Sequence, residues 1–270
     1  MDCLDNYEIG PLLGRGGFAK VFHALDKRTK KEVAVKFISK SKFTDDQSIR
    51  DRVRNEIRIH LQLKHHAIVN CLEHFEDKDN VYIVLELCVQ GNLFKYLNHG
   101  RLEEAVAAKY CFQLLEALNY LQSGPLQVIH RDLKLSNILL DKHFNVKLCD
   151  FGLATQQQHP DEEQYTILGT PNYIAPEVVN QTAHGYPADL WSLGCLLFAM
   201  LTGETPFEQR GDRDRDRERG GDAVRETLQR VVDGRYSMPA NISQAAQTFL
   251  RSLLHLVSPS FTMLKFHTLM

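Results

Sequence analysis

The spacing of apolar residues changes close to residue 88, and that change bounds the fold. Before it, Tyr7 to Leu13, Ala19 to Asp26, Glu32 to Ile38, Ile68 to Phe75 and Val81 to Leu87 are short β-prone runs separated by charged or glycine turns. One helical pattern interrupts them. From Ser48 to Leu63, Ile49, Val53, Ile57 and Leu61 recur every four residues and draw a single apolar stripe on a charged cylinder. After Gly91 the elements lengthen: Glu103 to Gln122 carries Tyr110, Leu114, Leu118 and Leu121 along one face, Val128 to Leu153 reads as strand and loop, and helices follow from Ala188. Strands first and helices second predict an α+β chain of two lobes. A sheet lobe with one helix spans about 7–87, a connector about 86–91, and a mainly helical lobe about 92–256. A chain of 270 residues gives each lobe enough length for its own core.

Composition narrows the classes further. At 43% hydrophobic and 24% charged residues the chain is neither disordered nor fibrous. With 34 acids against 32 bases, net charge is −2, so no global field draws it to nucleic acid or anionic lipid. Six scattered cysteines show neither zinc-site spacing nor disulfide-scaffold density, and read as free thiols in a reducing compartment. The N-terminus is polar and acidic, unlike a signal peptide. The most apolar run, Leu190 to Leu201, is too short to cross a bilayer and fits the centre of a lobe. These features predict a soluble cytoplasmic protein with no nucleic-acid or membrane partner. The tract 208–222 alternates acid and base and offers nothing to bury, so a solvated loop is expected there, and its interleaved acids argue against a nucleic-acid arm.

The chemistry concentrates in a few blocks. Gly14-Arg15-Gly16-Gly17-Phe18-Ala19-Lys20-Val21 lies between two strand patterns, where glycines let the backbone approach a phosphate chain. The same spacing opens dinucleotide-binding folds or a plain hairpin; the former requires a helix where this chain continues as a strand. On the strand Val33 to Lys36, alternation sends Ala34 and Lys36 to one face, where a small residue roofs a flat base and the lysine reaches phosphates. Glu56 flanks the apolar stripe of the helix, and Lys36 is its natural partner, with Arg52 the surface alternative. The strongest block is His130-Arg131-Asp132-Leu133-Lys134-Leu135-Ser136-Asn137, followed thirteen residues on by Asp150-Phe151-Gly152. Phosphoryl transfer needs a carboxylate to receive the proton of the attacking hydroxyl, oxygen ligands for magnesium and a cation at the transferring group. Asp132, the pair Asn137 and Asp150, and Lys134 supply these in turn.

On these motifs, together with Ala175-Pro176-Glu177 and Asp189-Leu-Trp-Ser-Leu-Gly194, the chain resembles the eukaryotic protein kinases from about Tyr7 to Leu256. The resemblance implies a bilobal fold with an antiparallel sheet in the first lobe, and ATP with Mg²⁺ as cofactors. It implies that Lys36 binds the α- and β-phosphates, that Asn137 and Asp150 hold Mg²⁺, and that Asp132 is the catalytic base. Leu13, Val21, Ala34 and Leu139 would enclose the adenine, with Leu85 as gatekeeper and Glu86 and Cys88 offering backbone bonds at the connector. Lys134 and Thr170 are characteristic of Ser/Thr kinases, so the expected partners are proteins carrying Ser or Thr, the chain itself included. Asn55-Glu-Ile-Arg-Ile-His-Leu-Gln-Leu-Lys-His65, Val84-Leu-Glu-Leu-Cys88 and Tyr165-Thr-Ile-Leu-Gly-Thr-Pro-Asn-Tyr-Ile174 are similar to the polo-like kinases, particularly the Sak branch. That branch implies centriole duplication and cell-cycle control, with centriole, centrosome or nucleus as destinations. His60, one turn after Glu56, is a polo-like feature or an ordinary half-buried histidine. Thr166 takes the activation-site position, where a phosphate would pair with Arg131; Thr155 and Tyr165 are alternatives.

The chain departs from the family beyond Leu256. Residues 257–270 lack the arginine that pairs in kinases with the residue Glu177 represents, and no polo-box region follows, which reads as a truncated or spliced product. Glu177 is then expected to be a buried acid without its partner. The rival reading is a catalytically weak, nucleotide-binding regulatory module; a dinucleotide-dependent oxidoreductase explains nothing after residue 40.

Overall fold

A computed structural model describes residues 3–16, 19–42, 46–97, 100–157, 168–208 and 212–255. The chain divides into two compact units. The first comprises the described residues of 1–91 together with 139–152, and the second those of 92–138 and 153–255.

The first unit is built on an antiparallel sheet of five strands: β1 (Tyr7–Arg15), β2 (Ala19–Asp26), β3 (Lys31–Ser39), β4 (Cys71–Glu76) and β5 (Asn80–Glu86), in the order β1-β2-β3-β5-β4. Pairing of Val21 with Lys36, Ala34 with Leu85 and Lys36 with Ile83 sets the register. Because side chains alternate, that register sorts the strands into two faces. Val33, Val35, Ala24, Tyr82 and Val84 gather with Tyr7 in one buried cluster. Ile38, Ile83, Val81 and Cys71 form the other, and the helix α1 (Gln47–His60) lays Ile49, Val53 and Ile57 on it. The Asp46 carboxylate caps α1 by accepting the N–H groups of Ser48 and Ile49. The glycine segment after β1 runs into β2 rather than a helix, which removes the dinucleotide-binding arrangement.

Residues 139–152 belong with this sheet unit although they follow it by fifty residues in the chain. The strands β7 (Ile138–Leu140) and β8 (Val146–Leu148) pair with each other, and β8 is stitched to the segment before β4. Val69 N–H donates to Leu148 O at 2.9 Å and Leu148 N–H to Ala67 O at 2.8 Å. The division thus falls differently from the contiguous 7–87 and 92–256 expected from periodicity.

The second unit is mainly helical: α2 (Leu93–Tyr96), α3 (Glu104–Ser123), α4 (Pro176–Val179), α5 (Tyr186–Thr202), α6 (Asp212–Val232) and α7 (Gln244–Leu253), with β6 (Val128–Ile129) pairing β9 (Thr155–Gln156). Every residue of α5 from Ala188 to Leu201 is buried, as its all-round apolar character predicts. Gly203 closes α5 in the left-handed conformation at φ 84°, which glycine adopts without a Cβ penalty. Among the described residues no helix is long and apolar enough to cross a membrane. The charged tract departs from expectation, because α6 begins at Asp212 and runs through it. Its aspartates and the pair Gly220-Gly221 are poor helix formers, but extending a helix already anchored by Thr227 and Val231 costs far less than nucleating one.

Gly194 marks where α5 meets α7. A Cβ there would stand 2.8 Å from Leu253 Cβ and 2.9 Å from Leu254 Cδ2. Gly194→Ala gains about 1 kcal/mol of helix propensity but overpacks this contact at a cost of about 1–3 kcal/mol. The expected outcome in thermal unfolding is a Tm lowered by a few degrees; an unchanged or raised Tm would show that the α5–α7 contact yields.

Candidate active site

In the first unit the charged groups collect at one corner of the sheet. Lys36 projects from the face of β3 that α1 covers, and its Nζ donates to Glu56 Oε1 at 2.5 Å and to Asp150 Oδ1 at 3.4 Å. Glu56 is only 6% exposed, so its carboxylate is tolerable there only with a cation beside it. Burial alone would lower the Lys36 pKa, but attraction to Glu56 and Asp150 outweighs it and holds the ammonium protonated. Arg52, the alternative partner, is not the one Glu56 uses. Asp150 itself takes φ 65°, and its side chain is 46% exposed, while Phe151 behind it is fully buried.

His60 closes the last turn of α1 over the same corner. Its Nε2 lies 2.7 Å from Val69 O and its ring 4.8 Å from that of Phe151, so it is a fully engaged core residue. At the connector, Lys147 of β8 holds Glu86 by both carboxylate oxygens at 2.7 and 3.0 Å, and Asn70 N–H donates to the same group. Val21, Ala34 and Leu85 share the face of the sheet that carries Lys36, while Leu13 is 42% exposed at the end of β1. Gly14 has nothing within 4 Å of where a Cβ would stand, and Gly16 only Ala19 O at 3.9 Å. The protein itself therefore leaves open the space that a close-lying phosphate chain would take. Gly17 and Phe18 lie outside the described residues.

In the second unit the loop after β6 is organised by Asp189 of α5. Its buried carboxylate accepts the backbone N–H of His130 at 2.8 Å and of Arg131 at 2.9 Å. Burial raises the pKa of this carboxyl, and the His130 and Arg131 N–H groups counter that rise. The clasp steadies Arg131 at φ 65°, an uncommon conformation for a non-glycine residue, and Arg131 Nε donates to Leu153 O at 2.7 Å. Asp132, next along the chain, becomes the hub of a polar cluster. Its Oδ2 accepts from Lys134 Nζ at 2.7 Å and Asn137 Nδ2 at 3.0 Å, and its Oδ1 accepts from Thr170 Oγ1 at 3.0 Å. Lys134 Nζ also reaches Thr170 Oγ1 at 3.1 Å. Asn137 spends its amide N–H on Asp132, donating to its backbone O at 2.9 Å and to Oδ2 at 3.0 Å.

A carboxylate with a lysine and a hydroxyl at hydrogen-bond distance, and a separate lysine–carboxylate pair beside glycine-walled space, are the parts of a phosphoryl-transfer site. The family described as protein kinase domain matches residues 7–260. This chain belongs to that family.

Among its relatives is "Serine/threonine-protein kinase PLK4" of Drosophila ananassae, 45% identical over 255 residues, and the protein of that name from Drosophila melanogaster, 44% identical over the same length. The same name is borne by a Drosophila virilis protein 41% identical over 256 residues. Each match covers 94% of this chain and 31% of the relative, so the kinase domain spans about a third of the length of the curated relatives it matches.

The structure brings together Lys36, Glu56 and Asp150 in one unit and Asp132, Lys134, Asn137 and Thr170 in the other. It adds two residues to which sequence reasoning assigned no role. Lys147 anchors the connector through Glu86, and Asp189 shapes the loop of Asp132; Lys147 was signalled by no more than a charge among apolar neighbours, and Asp189 by the motif it opens. Thr166 and Tyr165 lie outside the described residues, as do 257–270.

Glu177 stands at the start of α4. Burial raises its carboxyl above the ordinary value, and its Oε1 has no hydrogen-bond partner among the described residues. The folded chain therefore retains a proton at pH values where the unfolded chain has released it. Glu177's contribution is most favourable below the unfolded pKa of about 4.3 and is lost as pH rises through the folded pKa. Glu177→Gln is expected to melt at a higher temperature than wild type at pH 7.5, with the gap shrinking toward pH 4.5. A variant that is less stable at pH 7.5 would show that a cation meets this carboxylate.

Proposed function

We propose that this kinase domain transfers the γ-phosphoryl group of ATP to serine or threonine hydroxyls of proteins, its own included, as a polo-like kinase of the Sak branch acting in centriole duplication and the cell cycle. The observation that carries the reading is the cluster on Asp132, where one carboxylate is met by Lys134 and by the Thr170 hydroxyl. Thr170 Oγ1 offers a hydroxyl to Asp132 at hydrogen-bond distance, as a substrate hydroxyl would. In the reaction the substrate oxygen forms the new bond to phosphorus, the bond to the bridging oxygen breaks, and ADP leaves with that electron pair. The hydroxyl proton passes to Asp132, and Lys134 Nζ offsets charge on the transferring group.

Each cofactor has residues of fitting chemistry. Asp150 offers carboxylate oxygens and Asn137 its amide oxygen, the hard ligands magnesium takes. Magnesium, once bound, supplies positive charge that neutralises the phosphates. The protonated Lys36, held by Glu56, suits the α- and β-phosphates, and the open backbone at Gly14 and Gly16 suits their close approach, with Arg15, Gly17, Phe18 and Ala19 completing that loop. Leu13, Val21, Ala34, Leu85 and Leu139 would enclose the adenine, with backbone bonds from Glu86 and Cys88. A phosphate on Thr166 would pair with Arg131 and order the segment before Thr170.

The decisive experiment follows label from ATP–Mg²⁺ to casein and to the chain itself. Asp132→Asn should lower transfer by about 10²- to 10⁴-fold while ATP binding and Tm are kept. Transfer unchanged in Asp132→Asn refutes the assignment. A folded wild type that binds ATP without transferring phosphate would favour the regulatory module instead. Thr166→Ala with full activity would remove Thr166 from the regulatory scheme.

A further inference from the structure

His184 lies in the loop between α4 and α5, and it is 7% exposed. Its Nδ1 stands 3.0 Å from Thr182 O. A carbonyl oxygen only accepts, so Nδ1 carries the ring proton and Nε2 is left as an acceptor. Burial lowers the pKa of this imidazole; the Thr182 carbonyl counters the fall, and the Arg131 charge adds to it. Near neutral pH the ring is therefore uncharged, with a lone pair at Nε2. That nitrogen is buried and meets no hydrogen-bond partner among the described residues. A buried acceptor without a donor is costly, and in native proteins such an atom usually meets ordered water or a ligand.

His184 lines a small cavity in the second unit, with about 20 Å³ of free space. That is enough for one water molecule and far too little for an organic ligand. The cavity lies where three segments meet: Arg131 and Asp132 after β6, Gly169 and Thr170, and Asp189 of α5. Gly169 takes φ 124°, and a Cβ on it would stand 3.2 Å from Arg131 O, so its turn runs close against that carbonyl. The Arg131 carbonyl is thus a second acceptor at the same junction. Two acceptors beside one water-sized space suit a molecule that donates twice.

We propose, on the reading that Asp132 receives the hydroxyl proton, that His184 is a positioning residue for the transfer. Its Nε2 accepts from one ordered water, which donates its second O–H to the Arg131 carbonyl and ties the loop of Asp132 to the segment before α5. Asp132 follows Arg131 directly, and Arg131 holds φ 65°, so slack at this carbonyl passes to the carboxylate. Misplacing a reacting group by about 1 Å costs up to about 10²-fold in rate. Binding of ATP and of protein substrate does not run through this water, so the signature is a lower kcat at unchanged KM.

Two substitutions separate the two ring nitrogens. Asparagine offers an N–H where Nδ1 stands and nothing at Nε2; glutamine offers a polar group where Nε2 stands. In transfer from ATP–Mg²⁺ to casein, His184→Asn should lower kcat about tenfold at unchanged KM for ATP and casein, and His184→Gln should retain most of the wild-type kcat. A high-resolution crystal structure of the 270-residue chain should show one water within hydrogen-bond distance of both His184 Nε2 and Arg131 O. A dry cavity in that structure, an unchanged kcat in His184→Asn, or a His184→Gln as slow as His184→Asn overturns the proposal. Should His184→Asn fail to fold, the crystal structure and His184→Gln decide. Asp132→Asn measured beside them keeps the two readings apart. An active Asp132→Asn refutes the role of Asp132, whereas an inactive Asp132→Asn beside a fully active His184→Asn removes His184 alone.

Discussion

The first unit depends on one buried ion pair. Lys36 comes from the middle of a sheet and Glu56 from the middle of a helix, and neither charge is tolerable in that corner without the other. Their contact therefore decides where α1 sits along the sheet, a choice the apolar stripe leaves open because Ile49, Val53, Ile57 and Leu61 are nearly interchangeable by one turn. It also sets the space around it. A Cβ on Gly152 would stand 3.4 Å from Asp150 Oδ1 and 3.5 Å from Glu56 Oε2, ordinary contact distances at the point where the acids converge. Asp150 is drawn toward the same ammonium, and one cation thereby orders two carboxylates.

The second unit solves a similar problem without a cationic side chain. Asp189 is buried inside α5, the most apolar helix of the chain, and it is satisfied by backbone N–H groups of residues 58 and 59 positions earlier. Backbone donors cannot be displaced by a change of rotamer, so the loop they belong to is held firmly. The uncommon backbone of Arg131 persists for this reason, and Asp132 is presented to Lys134, Asn137 and Thr170 as a consequence. Glu177 contrasts with both. It is an acid in a largely buried position with one oxygen unsatisfied among the described residues, the arrangement that the other two sites avoid.

The helix α1 carries several of these roles on different faces. One face of it delivers Glu56 to the sheet, the neighbouring stripe is shared between the sheet and solvent, and the next edge carries arginines. That helix is held by half a stripe and one ion pair, whereas α5 is buried from Ala188 to Leu201.

Much of this was legible in the sequence, for a local reason. Period-two and period-four apolar patterns are written in neighbouring residues, so β2 matches the expected run, and α1, α3 and β3 differ by a few residues at their ends. The motifs around Lys36, Asp132 and Asp150 were equally plain, because their spacing is short and chemically specific. What only the tertiary structure decided are contacts across long separations and outcomes of competing propensities. Lys147 meeting Glu86, Asp189 meeting the loop of Asp132, and residues 139–152 joining the sheet unit each join chain segments about fifty residues or more apart, where no local periodicity speaks. The helical course of 212–222 belongs with them. Its charges and glycines predict a loop, yet a helix anchored at one end continues because elongation costs far less than nucleation.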